Sequence, residues 1–194
     1  HGTHRQTILA NLKVAFPELT TAERHDLGKR CLYNTVSDAL EFTHLVQNPK
    51  GVKERVHLDP TLMELCEGGQ AGTTLVIVPH LGNWELFGHA ASINGVPASA
   101  VAQELRNPYL ERLAQRTRSV HGLHIIPSKG AARGVVRALR KGRHVGILMD
   151  QNTRIKEGGA YVNFFGLPVT VSRAPAALAR RLNVNVLAST CIRD

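Results

Sequence analysis

The sequence predicts an α/β fold with a mostly parallel sheet flanked by helices and a helical N-terminal layer. Three observations predict it. From residue 74 onward, short β-branched runs alternate with amphipathic helical patterns, which is typical of strand–helix–strand units. Polar residues directly follow several of the strand-like runs. Before residue 74 the periodicity is almost entirely helical, which indicates helices packed against the sheet.

The N-terminal third predicts helices separated by breaks. Residues 4–16 carry a helical pattern that Pro17 stops. A capping box at Thr20 and Glu23 begins a second helix, which continues to about Leu45. A break at residues 48–51 precedes an expected short strand, 52–58, and an expected helix, 60–67, that two glycines, Gly68 and Gly69, end.

The remaining sequence predicts alternating strands and helices. In chain order we expect strand 74–79, helix 83–94, strand 97–101, helix 107–120, strand 123–127, helix 131–141, strand 144–149, a turn at 156–160, strand 161–165, a mostly helical segment 171–183 and strand 184–190. The sequence contains no internal repeat and no low-complexity linker, so we expect a single domain over residues 1–194.

Charge and composition limit the classes of partner. The formal charge is +9 and the pI is about 10.0, which favours a polyanionic partner such as an anionic membrane surface, a phosphorylated substrate or nucleic acid. Aromatic residues make up only 5%, and no zinc spacing or aromatic RNA-binding motif occurs, so nucleic acid is disfavoured. No apolar run reaches the length of a membrane span. Because the chain lacks an initiator Met and ends after a strand-like run, we expect a fragment without its N-terminal anchor and C-terminal end.

The first strand-to-helix turn of the α/β region contains the strongest candidate for chemistry. His80 follows the strand at 74–79, and Glu85 lies in the first turn of the next helix. A neutral imidazole takes a proton from a hydroxyl, and a carboxylate on its other nitrogen fixes the tautomer. No Ser or Cys stands in the turn, so we expect direct attack by a substrate hydroxyl. The alternative is a histidine bonded to backbone, with Glu85 favouring the helix dipole.

Three polar residues after later strands are candidates for substrate binding. Arg106, before the expected cap Asn107, would grip a phosphate or carboxylate at a helix start. Asp150 would orient a substrate group, and Arg154 would hold an anion, since strand ends of a parallel sheet face one crevice. Each also fits a simpler role, as a surface arginine or a turn residue whose side chain caps the backbone.

Two further segments have open interpretations. The aromatic stretch with Phe164 and Phe165 would line an acyl-chain channel or pack in the core. The basic run 129–143, and the helix bearing Arg112, Arg116 and Arg118, would contact anionic lipid headgroups or form solvated faces.

The order of the motifs resembles one family. The blocks are Pro79-His80-Leu81-Gly82-Asn83-Trp84-Glu85, then Arg106-Asn107-Pro108-Tyr109-Leu110, then Gly146-Ile147-Leu148-Met149-Asp150-Gln151-Asn152, then Val162-Asn163-Phe164-Phe165-Gly166. In this order they resemble the late lipid A (lauroyl/myristoyl) acyltransferases, which are related to the phosphatidylinositol mannoside acyltransferases. The resemblance covers essentially the whole chain. The block containing His80 and Glu85 is its most specific part.

The resemblance implies a glycerolipid-acyltransferase-like fold with a catalytic pair, His80 as base and Glu85 as its partner. It implies transfer of an acyl group from acyl-carrier protein or acyl-CoA to a hydroxyl of a membrane glycolipid, such as a lipid A precursor, with no metal or redox cofactor. It places the protein at the cytoplasmic face of the cell inner membrane, peripheral or N-terminally anchored. The residues expected to bind substrate are Gly82, Asn83, Arg106, Asn107, Asp150, Gln151, Arg154, Phe164 and Phe165.

Two alternatives remain at this point. One is a glycerophosphate or lysophospholipid acyltransferase, which the acceptor headgroup would distinguish. The other is a non-catalytic basic protein that binds anionic membrane or nucleic acid, and its binding would survive the loss of His80.

Overall fold

The computed structural model describes residues 2–66 and 72–193, and its N-terminal part is the expected helical layer. The predicted capping box is confirmed, because the Thr20 hydroxyl accepts from the Glu23 N–H and the Glu23 carboxylate accepts from the Thr20 N–H. The end predicted at Gly68 and Gly69 lies outside the described residues. The helices of this layer are α1 (Gly2–Ala15), α2 (Thr21–Leu45), α3 (Pro49–Arg55) and α4 (Pro60–Cys66).

The strand predicted at 52–58 is wrong, because residues 49–55 form the helix α3. The Asn48 side chain accepts a hydrogen bond from the Gly51 N–H at 3.0 Å, and Pro49 occupies the first helical position. Both features begin helices, and the buried Val52 faces the core from a helix instead of a strand.

The α/β region follows the expected alternation closely. Its elements are β1 (Thr74–Val78), α5 (Trp84–Ile93), β2 (Ala98–Ala102), α6 (Pro108–Ser119), β3 (His124–Pro127), α7 (Ala131–Arg140), β4 (His144–Leu148), a 3₁₀ turn (Ile155–Glu157), β5 (Gly159–Phe164), β6 (Leu167–Ser172), α8 (Ala174–Leu182) and β7 (Asn185–Ala188). Within the described residues, β3-β2-β4-β1-β7 form one sheet in which all neighbouring strands are parallel. The expected fold class is therefore confirmed.

The two faces of the sheet have different partners. Leu75 of β1 and Val145 of β4 pack with Val135 and Leu139 of α7, and Leu178 of α8 joins this cluster. Successive side chains of a strand point to opposite faces, so Val76 and Val78 face the other side, toward α5. Helices therefore cover both faces, and the carboxyl ends of the strands remain open at one edge.

Strand β6 was missed in the sequence, and it changes the segment before α8. β5 and β6 form an antiparallel hairpin outside the main sheet, with Phe164 opposite Leu167. The helix expected from Val171 begins only at Ala174, because Val171 and Ser172 still pair with β5. The turn signal lay at Phe165-Gly166, where both residues have positive φ.

Candidate active site

His80 and Asp150 meet at the carboxyl edge of the sheet. In the parallel pair of β1 and β4, Val78 is opposite Leu148, so the two residues leave neighbouring strands at the same level. The ring Nδ1 of His80 lies 2.6 Å from the Asp150 Oδ1, and the His80 backbone N–H donates to Oδ2 at 2.8 Å. The carboxylate thus fixes both the ring and the backbone of His80.

The expected hydrogen bond between His80 and Glu85 is wrong. Glu85 is turned toward the end of α6, where Arg118 donates to it from Nη2 at 2.5 Å and from Nε at 3.2 Å. The side chains of Arg118 and Glu85 are only 18% and 23% exposed, so the ion pair is largely removed from water. Arg118 therefore binds the Glu85 carboxylate, which the local spacing had suggested as the partner of His80.

The hydrogen bonds determine the proton positions at this pair. Partial burial alone raises the pKa of Asp150, but the hydrogen bonds from the His80 ring and backbone outweigh it and hold that pKa below its usual value. Because an ionised carboxylate can only accept, the contact requires a proton on Nδ1. In the neutral tautomer that this contact selects, Nε2 carries the lone pair, which is what a general base uses.

A cavity of about 420 Å³, which His80 lines, extends across the face of the sheet. Its floor is formed by short apolar side chains of the strands, Val76, Val78, Ala98, Ala100 and Leu148. Its wall includes Phe87, Gly88 and Ala91 of α5, and Trp84 packs edge-on against His80 with ring centroids 4.9 Å apart. Polar side chains gather at the strand ends, where Gln103 and Gln151 also line the cavity, and the Gln151 Nε2 lies 3.4 Å from the His80 Nε2.

Three of the expected binding residues shape the turns around the site. Gly82 has φ +64, and a Cβ there would collide with the carbonyl oxygen of Cys191, so only glycine fits. Asn83 caps α5 by accepting from the Leu86 N–H at 3.2 Å. Asn107 caps α6 by accepting from the Tyr109 N–H at 2.9 Å. These contacts occupy the side-chain oxygens of both asparagines.

The remaining expected binding residues do not line the cavity. Arg106 is exposed at the start of α6, and Arg154 is exposed and lies 3.6 Å from Glu157. Phe164 and Phe165 were expected to line an acyl channel, but neither lines the cavity. They form the tip of the β5–β6 hairpin, with 61% and 53% of their surface exposed.

Arg118 and Trp84 are cavity residues that sequence reasoning missed. Trp84 belongs to the motif that contains His80, so its contact with the His80 ring could have been predicted from their spacing of four residues. Arg118 had no local signal, because a basic residue in the last turn of a helix is common. Only its contact with Glu85, 33 residues away along the chain, shows its role.

A parallel α/β sheet with a histidine–carboxylate pair beside an apolar cavity is an arrangement that can supply a general base next to space for an apolar chain. Residues 1–194 match the family model described as bacterial lipid A biosynthesis acyltransferase, and the chain belongs to this family. The resemblance inferred from the motif order is thereby confirmed. A search of curated proteins found no match. In the part of the chain that the structure describes, no helix is both long and apolar enough to cross a membrane.

Proposed function

We propose that this acyltransferase moves a fatty acyl group from an acyl thioester, carried by acyl-carrier protein or CoA, to a hydroxyl of a membrane glycolipid such as a lipid A precursor. The observation that carries the proposal is the contact of the His80 Nδ1 with Asp150, which leaves Nε2, 3.4 Å from the Gln151 Nε2, as the ring nitrogen available to a substrate. The family supplies the acyl-transfer chemistry.

In the proposed reaction, the His80 Nε2 takes the proton of the acceptor hydroxyl as its oxygen attacks the thioester carbonyl. The tetrahedral intermediate then collapses, the carbon–sulfur bond breaks, and the departing sulfur receives the proton from the imidazolium. Asp150 stays ionised throughout and stabilises the imidazolium. The amide of Gln151 is the donor that we assign to the developing oxyanion, because it lies beside Nε2.

The acyl chain is assigned to the cavity on the sheet. Burial of each CH₂ group contributes about 0.8 kcal/mol, so a long chain binds well against an apolar floor. Several of the residues that line the cavity are small, including Gly88, Ala91 and Gly146, which leaves room for the chain. The thioester carbonyl of the chain then lies at His80.

The anionic face of a membrane is the proposed surface on which the enzyme works, at the cytoplasmic side of the inner membrane. Helices α7 and α8 contain no acidic residue.

Two arginines of the basic surface expected from the sequence are excluded from membrane contact, because their guanidinium groups have partners within the chain. Arg118 pairs with Glu85, and Arg143 donates to Ser99 Oγ at 2.9 Å. The exposed basic residues of α7, α8 and the residue after α7 are Arg133, Arg137, Arg140, Lys141, Arg180 and Arg181.

Transfer of a labelled acyl group tests the proposal directly. Purified protein is incubated with labelled acyl-carrier protein or acyl-CoA and either a lipid A precursor or glycerol 3-phosphate, and the lipid products are separated and weighed by mass spectrometry. We expect label in the glycolipid only, with loss of transfer in His80→Ala. The matched control is His44→Ala, which removes an exposed histidine of α2. Transfer to glycerol 3-phosphate instead, or full activity of His80→Ala, would overturn the proposal.

A further inference from the structure

The tip of the β5–β6 hairpin is an exposed aromatic surface with no role in the cavity. Phe164, Phe165 and Leu167 are each about half exposed or more, and Tyr161 is also exposed. The whole segment 159–172 contains no charged residue, although 20% of the chain is charged. From Tyr161 onward, the side chains on both faces of β5 are exposed, so water surrounds the outer half of that strand.

The backbone conformation at this tip is unfavourable for Phe165, the residue that occupies it. Phe165 has φ +50 and Gly166 has φ +76, which makes them the central pair of a two-residue hairpin turn. Asn, Asp or Gly normally occupies the first of these positions, because a bulky side chain is strained at positive φ. Such a strained residue persists where the surrounding structure or the function requires it.

Packing within the chain accounts for only part of the Phe165 ring. The ring contacts those of Phe16 and Phe164 edge-on, with centroids 6.0 Å and 4.7 Å apart. About half of the Phe165 surface nevertheless faces water. Exposed apolar patches mark protein or membrane contact sites, and Phe and Leu side chains are typical of segments that bury an apolar surface at the headgroup–acyl boundary of a bilayer. A bilayer also suits an uncharged segment, whereas a nucleic acid or an acidic protein would select positive charge.

The base of the hairpin is attached to the catalytic edge of the sheet. The Thr153 N–H donates to the Thr170 carbonyl of β6 at 3.2 Å, and the Thr170 hydroxyl donates to the Asn152 side chain. Asn152 and Thr153 directly follow the polar pair Asp150 and Gln151. The hairpin is therefore joined by hydrogen bonds to the segment that follows Asp150, the residue that contacts His80.

We propose that the β5–β6 hairpin inserts Phe164 and Phe165 into the interfacial layer of the bilayer that holds the acceptor. The inference rests on the proposed function in one respect, since the glycolipid acceptor makes a bilayer the available surface. The insertion is apolar, so it does not depend on salt. This property separates it from the attraction of the arginines on α7 and α8, which salt screens.

The first experiment measures co-sedimentation with zwitterionic phosphatidylcholine vesicles in about 1 M salt, where the Debye length is about 3 Å. We expect Phe165→Asn to weaken binding about tenfold, because burial of a phenylalanine side chain is lost. Asn suits positive φ, so the variant is expected to fold, and its unfolding midpoint checks this. Tyr109→Ser, which removes an even more exposed aromatic ring from α6 (73% against 53% for Phe165), is the matched control and should bind like wild type.

The second experiment locates the tip directly. Phe165→Trp adds a tryptophan at the turn, and vesicles with lipids brominated near the headgroup should quench its fluorescence beyond the level of wild type, whose single tryptophan is Trp84. Unchanged binding of Phe165→Asn, equal loss in Tyr109→Ser, or no added quenching in Phe165→Trp would overturn the insertion. So would a wild-type dimer that dissociates in Phe165→Asn without a change in vesicle binding.

Both experiments omit the acyl donor, so they report membrane contact alone. Transfer to a detergent-dispersed acceptor is measured separately on wild type. Vesicle insertion without transfer would contradict the proposed function and leave the inference standing. Transfer without insertion would contradict the inference alone.

Discussion

The carboxylate of Asp150 contacts His80 at two points, the ring Nδ1 and the backbone N–H, across the boundary between β4 and β1. This arrangement supports Asp150, instead of Glu85, as the group that orients the base. A direct comparison of two amide variants follows from it, because each carboxylate has a different partner.

Asp150→Asn is expected to lower kcat by about 10²- to 10⁴-fold, because the amide stabilises neither the Nδ1–H tautomer nor the imidazolium. Glu85→Gln is expected to retain a much larger share of kcat. Steady-state acyl transfer at saturating donor measures both. The reverse order, with Glu85→Gln the more damaging, would restore the pairing that the local spacing suggested.

The ion pair of Glu85 and Arg118 is expected to matter for stability. Burial alone lowers the pKa of Arg118, but hydrogen bonds and charge attraction from Glu85 raise it overall, so the guanidinium stays charged. Glu85→Leu then leaves a largely buried cation unpaired, which costs about 1–3 kcal/mol of unfolding free energy. Glu85→Leu/Arg118→Leu should recover part of this loss in urea unfolding. Arg118→Leu is measured alone as well. If the losses of unfolding free energy in the two single variants add up to the loss in the double variant, the pair is not coupled.

The size of the cavity is expected to select the acyl chain. Ala100→Leu adds a larger apolar side chain to the cavity lining, so rates with long acyl donors should fall relative to short ones. The matched control is Ala177→Leu, at an exposed position of α8. Competition between acyl donors of different lengths measures the preference. An unchanged preference in Ala100→Leu would place the chain elsewhere.

His89 is expected to lower stability in acid. Its ring is 0% exposed, neither ring nitrogen has a hydrogen-bond partner among the described residues, and Phe42 and His121 pack against it. Burial first, and then the neighbouring His121, lower its pKa to about 4, although Glu85 opposes this.

The unfolded chain therefore binds a proton at this histidine below about pH 6.5, where the folded chain does not. The unfolding free energy should fall by about 3 kcal/mol between neutral pH and pH 4 from this residue. His89→Leu should lose less stability than wild type over that range in urea titrations at several pH values. Parallel curves for the two proteins would show that His89 is protonated when folded.

The basic surface of α7 and α8 is expected to make binding to anionic vesicles sensitive to salt. The variant Arg133→Gln/Arg137→Gln should bind anionic vesicles more weakly at low salt, since each basic residue near the surface contributes about 1 kcal/mol. Its binding should converge with wild type as salt rises. Co-sedimentation across a salt series measures this. Equal salt dependence of both proteins would assign the charge to another partner.

The sequence by itself determined the class of fold, the alternation of strands and helices after residue 74, and the family. Periodicity and capping are local, so the capping box at Thr20 and the strand that precedes His80 were predictable. The strand prediction at 52–58 failed for a local reason as well, since three apolar residues in a segment of seven do not distinguish the two periods.

Only the tertiary structure decided which charged side chains meet. His80 and Asp150 are 70 residues apart, and their contact depends on β4 lying beside β1 in one particular register. Glu85, five residues from His80, instead pairs with Arg118, because the fold brings the last turn of α6 close to the first turn of α5. The strand β6 was not predicted, because the turn before it contains Phe165 at a position of positive φ where glycine or asparagine is usual. Sheet order and helix packing are long-range properties, so spacing along the chain did not fix these partners.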